Sequence, residues 1–374
     1  MLTSGNGTGN GTGNGTGNGT GNGTGAPHAG GTSSSPLLNH ALTTTHDGLV
    51  GYWDPDHDLE NGRNLQPPTQ PHEYGTLGYL TDGNRQSIAL GILSSFFRVE
   101  AGDSEYACRL MVQGQKVYHL QTPSLTYLGK QLIWVRNYAD LRSDRIAEIN
   151  TQIGDIKSFF GAIMRLDGTQ RKRTLEFLHI VQQLTIQIEM QFKHYCWCPR
   201  PIQFSANVTP IIQTPDHSSF PSGHATEAFA IATVLDHILY DRANSETSTK
   251  HALKDWTMPF RLAHRIAVNR TIAGVHFPVD SAAGALLGCA IGNAVLGLCG
   301  EKNVQRTYLD MSDQTDRDGD IGPNKFHQGQ DFTTTWLRKP GGEDGNQSHL
   351  ERMDREFEGD PFLKSLWVRA GEEK

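Results

Sequence analysis

"SSFPSGHATEAFAIATVL", residues 218–235, decides how the chain is read. Three residues that break or cap helices, Pro221, Ser222 and Gly223, stand directly before His224. An apolar helical pattern then begins, with Phe229, Ile231, Val234 and Leu235 as members. A helix N-terminus has backbone N–H groups without intrahelical partners and a partial positive charge, so it attracts anions. Gly223 lets an anion come against the backbone, where a Cβ would collide. Ser222 adds a hydroxyl donor, and His224 adds a group that exchanges protons near neutral pH. Alone the tetrapeptide is a weak signal, because Ser-Gly before a helix is ordinary capping and a lone histidine is more often structural.

Two other segments strengthen it. "KHYCWCPRP", residues 193–201, places Lys193 seven residues before Arg200, and Pro201 stops the helix. A lysine there has a bland reading too, as a cation at a helix C-terminus. "NRTIAGVHFPVD", residues 269–280, places Arg270, His276 and Asp280 in order. Gly274 breaks one helix, and Pro278 suits the first turn of the next. His276 and Asp280 are four apart, so their side chains meet on one helix face. A carboxylate on one imidazole nitrogen fixes the tautomer and sharpens the other as a nucleophile or metal ligand. Three cations, Lys193, Arg200 and Arg270, with the N–H of Gly223 and two histidines, suit a tetrahedral oxyanion.

These three motifs, in this order over about residues 190–290, resemble the superfamily of type 2 phosphatidic acid phosphatases, bacterial class A acid phosphatases and vanadium-dependent haloperoxidases. One position departs: Asn269 stands where that family usually has serine. The resemblance implies that Lys193, Arg200, Arg270, Ser222 and the Gly223 N–H bind the oxyanion. His276 would form a phosphohistidine, or the bond to vanadium, and Asp280 would orient it. His224 would be the acid–base group. The implied fold is all-α, a multi-helix bundle with long irregular N- and C-terminal extensions.

The branch is read from other features. The chain lacks the several apolar spans of the lipid phosphatases, shows no signal peptide, and has a long helical region before the motifs. That favours a haloperoxidase-like enzyme with vanadate as cofactor and peroxide and halide as substrates. His217 adds a little as a candidate halide-site residue. It lies seven positions before the acid–base histidine, where bromoperoxidases of the family carry a histidine. The alternatives are a soluble phosphatase with no cofactor, acting on phosphomonoesters, and a binding protein that only sequesters phosphate or vanadate.

The whole chain of 374 residues, 36% hydrophobic, allows a sizeable core. A net charge of −7 does not point to nucleic acid or an anionic membrane. Five cysteines without metal spacing read as reduced thiols of a cytoplasmic or otherwise soluble protein. Residues 281–299 carry no charge and approach the length of a bilayer span. Gly284, Gly288 and Gly292 recur every fourth residue, and the segment is read as a buried glycine-faced core helix. The expected organisation is a disordered GNGT-repeat tail over 1–36, an extended Pro/Gly/Asp-rich arm over 37–84, a helical catalytic domain over 85–300 and a polar extension over 301–374.

Overall fold

The computed structural model describes residues 36–49, 77–78, 80–102, 107–241, 257–301, 305–307, 326, 329–333, 336, 350–352 and 356–373. The GNGT repeat and most of the arm and C-terminal extension lie outside these. The chain divides into two compact units, 1–88 and 89–374, and the second contains all the motifs.

In the first unit, helix α1 (Pro36–Leu49) occupies the start of the expected extended arm. That expectation is corrected here: Pro36 suits a first helical turn, and the leucines and alanine that follow are good helix formers. Helix α2 (Asp82–Phe96) crosses into the second unit. It ends earlier than its apolar run suggests. Phe97 and Val99 are buried while Arg98 is exposed, a period of two, so Phe97–Ala101 form strand β1. Ile88 is 40% exposed, whereas Ala89 and Leu93 are buried. β1 pairs antiparallel with β2 (Ala107–Val112), and β2 with β3 (Gln115–Gln121). The Gln113–Gly114 turn joins β2 to β3, and Gly114 takes a left-handed φ of 76°.

The rest of the described core is helical: α3 (Leu125–Tyr138), α4 (Arg142–Gln152), the short α5 (Lys157–Phe160), α6 (Lys172–Tyr195), the short α7 (Pro201–Phe204), α8 (Gly223–Asp236), α9 (Met258–Ile272) and α10 (Pro278–Leu298). The fold is thus all-α, with a small three-stranded sheet and a short antiparallel pair, Gln305–Thr307 with Leu350–Arg352. Along α6 the apolar positions spaced three or four apart, Leu178, Val181, Leu184, Ile188 and Phe192, are buried throughout.

Helices α8 and α10 form the centre, and glycine lets them meet. A Cβ on Gly284 would lie 2.5 Å from the Ser222 carbonyl oxygen. One on Gly288 would overlap the Thr226 carbonyl and lie 2.9 Å from the Ala230 nitrogen. These neighbours are backbone and cannot turn aside. Gly288→Ala is therefore expected to cost about 1–3 kcal/mol of stability, read from denaturant unfolding. An unchanged midpoint would mean that the two helices can part at no cost. By length and composition α10 would also cross a membrane, but all of its apolar window is buried within the protein.

Parts of the polar extension over 301–374 also enter the core. Phe326, Phe332 and Trp336 are buried, and their rings pack on one another. Helix α11 (Pro361–Glu372), capped by the Asp360 side chain, buries Phe362, Leu363, Leu366, Trp367 and Ala370 and packs on α6. Trp367 stacks obliquely on Phe177 with ring centroids 5.2 Å apart. Single aromatics in a polar stretch escape periodicity because their partners are remote in sequence. The five cysteines are free and buried, and Cys108 Sγ lies 3.2 Å from Cys196 Sγ.

Candidate active site

Two helix interruptions set the side chains of the first and third motifs. Helix α6 ends at Tyr195 and delivers Lys193 in its last turn. Pro201 then starts α7, and the Arg200 N–H is taken by the Gln203 side chain at 2.6 Å, which holds Arg200 at the helix entry. Helix α9 ends after Arg270, where Gly274 adopts φ 85° and the Val275 N–H closes on the Arg270 carbonyl at 3.2 Å. That reversal sets His276 directly before α10. Pro278 opens α10, and Asp280 reaches back to accept the Phe277 N–H at 2.9 Å.

Lys193, Arg200, Ser222, Arg270, His276 and Asp280 are all buried. They are linked through shared partners. Lys193 Nζ donates to the carbonyls of Ser218 and Pro221. Arg200 Nη2 also donates to the Ser218 carbonyl, at 3.2 Å, and Arg200 Nη1 approaches His276 Nε2 at 3.0 Å. A guanidinium can only donate, so Nε2 is the acceptor and carries the lone pair. The proton of neutral His276 is then on Nδ1, which donates to Asp280 Oδ2 at 3.0 Å. The expected His276–Asp280 pairing is present, and its tautomer leaves Nε2 as the nucleophilic atom.

His224 is arranged differently. Its Nε2 lies 2.8 Å from the Gln152 carbonyl oxygen. A carbonyl only accepts, so Nε2 bears the proton and Nδ1 is the nitrogen left to exchange one. Burial, then the Arg270 charge, pushes His224 down to about 3. His276 is pushed well below the usual imidazole range by burial, then by Arg200 and Lys193. Both imidazoles are therefore neutral until an anion offsets the cations. Burial lowers Lys193 to about 8 and Arg200 and Arg270 to about 10. Asp280 is raised to about 6 by burial, against three donors on Oδ2 that favour the carboxylate.

Several polar atoms here are buried without partners. Arg270 Nη2 is used by the Ile149 carbonyl and Gln152 Oε1, both at 3.1 Å, but its Nε and Nη1 have no acceptor. Ser222 caps α8 in position only, and its Oγ is unpaired as well. Gln152 Nε2 is unpaired too. Buried orphan donors cost about 1–3 kcal/mol each, so these four suit an acceptor from outside the chain. A phosphate or vanadate fits that donor set.

Gly223 differs from expectation in one respect. The space its missing Cβ leaves is filled by the Glu189 carboxyl rather than standing open toward a ligand. Gln152 and Ser219, which the motifs do not reveal, also belong here, as does Asn269. Gln152 gathers Arg270, Asn269 and His224 on its two oxygens. Ser219 Oγ donates to Asp280 Oδ2. Asn269, the departure from the family's serine, donates to Glu148 and Gln152 at 3.1 and 3.0 Å and so ties α9 to α4. Asn269 lies inside the third motif, Ser219 left only the trace of a serine just before Pro-Ser-Gly-His, and Gln152 left none. His217 is half-buried, with Nδ1 3.2 Å from Arg200 Nη2, and is pushed down to about 4 by burial and by Lys193 and Arg200.

Ser219→Ala is expected to lower turnover by about 10–100-fold, the usual scale for losing a group that orients a ligand histidine's partner. The acidic limb of the pH profile should move to higher pH, because Asp280 loses a donor that favours its carboxylate. An unmoved limb with full turnover would mean that His276 and Phe277 hold Asp280 without help.

Residues 177–303 match the family model of the PAP2 superfamily. The match runs from before Lys193 to beyond Asp280 and so contains all three motifs, whereas Gln152 lies outside it. No curated protein matches the chain.

Proposed function

We propose that this chain, through its PAP2-superfamily region, is an oxyanion-handling enzyme of the vanadate-dependent haloperoxidase type, oxidising halide with peroxide. The observation that carries the oxyanion reading is the set of buried, unpaired donors, Arg270 Nε and Nη1 and Ser222 Oγ, beside a histidine whose tautomer is set. Lys193, Arg200, Arg270, Ser222 and the Gly223 N–H would hold vanadate, with His276 Nε2 as its protein ligand. Bound there, vanadate would supply the Lewis-acid centre that activates peroxide. The residues' own tasks are separate from that chemistry. The cations neutralise the anion, Asp280 and Ser219 hold the imidazole, and His224 Nδ1 takes up and returns a proton. Support for the halide branch comes from His217, packed on Arg200 where the resemblance puts the bromoperoxidase histidine.

A second reading is favoured by the same tautomer. Nε2 of His276 would attack the phosphorus of a phosphomonoester. The P–O ester bond would break with its electron pair leaving on the alcohol oxygen, which takes a proton from His224. Water, deprotonated by His224, would then attack the phosphohistidine and release phosphate and a free His276. Bound dianion raises both imidazole pKa values, so His224 can carry the proton it gives up.

The test is the purified protein assayed with orthovanadate, peroxide and bromide, and separately with p-nitrophenyl phosphate. Vanadate-dependent bromide oxidation supports the first reading. Ester hydrolysis without vanadate selects the second. Anion binding with neither activity would leave a binding protein. The placement of α10 within the core makes recovery without detergent the expectation. Retention in a carbonate-washed membrane pellet would overturn it.

A further inference from the structure

Glu189 has no part in the chemistry above, yet it lies at the same place. It stands on α6 one turn before Lys193 and is 6% exposed. A Cβ built on Gly223 would overlap its carboxyl, with Cδ at 3.0 Å and Oε2 at 3.1 Å. The carboxyl therefore sits against the first residue of α8, where the unpaired N–H groups begin. Oε2 has no hydrogen-bond partner. Lys193 does not serve it, because its ammonium turns to the carbonyls of Ser218 and Pro221.

A carboxylate in this position would repel the anion that Ser222, Gly223 and Lys193 are placed to hold. A carboxylic acid would bring one more O–H donor. We propose that Glu189 is a further anion-binding residue, whose protonated carboxyl donates to the tetrahedral oxyanion at the N-terminus of α8 and so couples anion binding to its own protonation. This rests on the reading of Lys193, Arg200 and Arg270 as an anion site.

The surroundings favour the acid form. Burial raises Glu189 well above the usual carboxylate range, and the charge of Glu227 adds to it, while Lys193 opposes. Lys193 is on its own helix and Glu227 comes from α8. Glu227 is also raised by burial, and it is held by Gln182 Nε2 at 2.7 Å and offset by Lys157, Lys193 and Arg270. A group with a raised pKa in the free protein, raised further by a bound anion, takes up a proton on binding.

The experiment is calorimetric titration of wild type and Glu189→Gln with inorganic phosphate, across pH ~5 to ~8, in buffers of different ionisation heat. Comparing the two proteins at each pH cancels the titration of phosphate itself. Glutamine keeps a donor but cannot ionise. The expected result is that wild-type affinity falls relative to Glu189→Gln by about tenfold per pH unit above the Glu189 pKa, and that wild type takes up to one more proton. Parallel pH profiles and equal proton uptake, in two proteins that both bind phosphate, would overturn the role of Glu189 and leave the anion site standing. If neither wild type nor variant binds phosphate, the anion site fails and this proposal with it. Should Glu189→Gln not fold, infrared difference spectra of wild type decide. Adding phosphate should raise or shift a protonated-carboxyl band, and its absence would contradict the proposal.

Discussion

His276→Ala is expected to abolish attachment of the anion's central atom and to lower turnover by at least ~10³-fold, as loss of a nucleophile does. Its Nε2 carries the lone pair, because Arg200 donates to it and Asp280 holds Nδ1–H. His224→Ala should behave otherwise. Its Nε2–H is committed to the Gln152 carbonyl, so it can exchange protons but not present a lone pair from that atom. That variant should keep the anion and lose about 100-fold or more in turnover, the scale of a missing general acid. Vanadate affinity and turnover measured side by side separate the two. Anion loss in His224→Ala with retention in His276→Ala would reverse the roles.

Arg270→Ala should weaken phosphate and vanadate binding by about 10²–10⁴-fold. Two of its donors have no protein acceptor, and charge-assisted bonds are worth roughly 1.5–3 kcal/mol each. Arg270→Lys should recover little, since a single ammonium cannot supply two planar N–H donors. Arg200→Ala should also lose affinity, but with a stability cost, because Arg200 already bonds the carbonyls of His217, Ser218 and Val275. In the intact protein, affinity should fall as pH rises through about 8, where Lys193 gives up the charge that burial already penalises. Binding by Arg270→Ala equal to wild type would mean that its free donors face no ligand.

Much of this site is local and therefore legible from spacing. The four-residue step from His276 to Asp280 and the Gly274–Pro278 break fix one imidazole and its acid. The seven-residue step from Lys193 to Arg200 crosses one helix end. The apolar positions of α6 follow its period because one face packs on α8. What escaped depends on contacts between remote segments. Gln152 acts on α9 and α8 from the end of α4, and its own neighbours in sequence give no sign of it. Glu189 is on the same face of α6 as Lys193, an acid among Ile188 and Phe192, and the pattern alone offers no reason to prefer burial to solvent. The strands β1–β3 begin where α2 ends without a proline or glycine to mark the change, so the apolar run alone does not show where the helix stops. Phe332 and Trp336 enter the core from a polar stretch, where isolated aromatics carry no period.

In the proposed site, His276 Nε2 is the protein atom bonded to the oxyanion's centre. A crystal structure of the protein soaked with orthovanadate tests it most directly. The predicted result is vanadium bonded to His276 Nε2, with its oxygens on Arg270 Nε and Nη1 and on Ser222 Oγ. Vanadate bonded to His224, or bound away from Arg270 and Ser222, would contradict it.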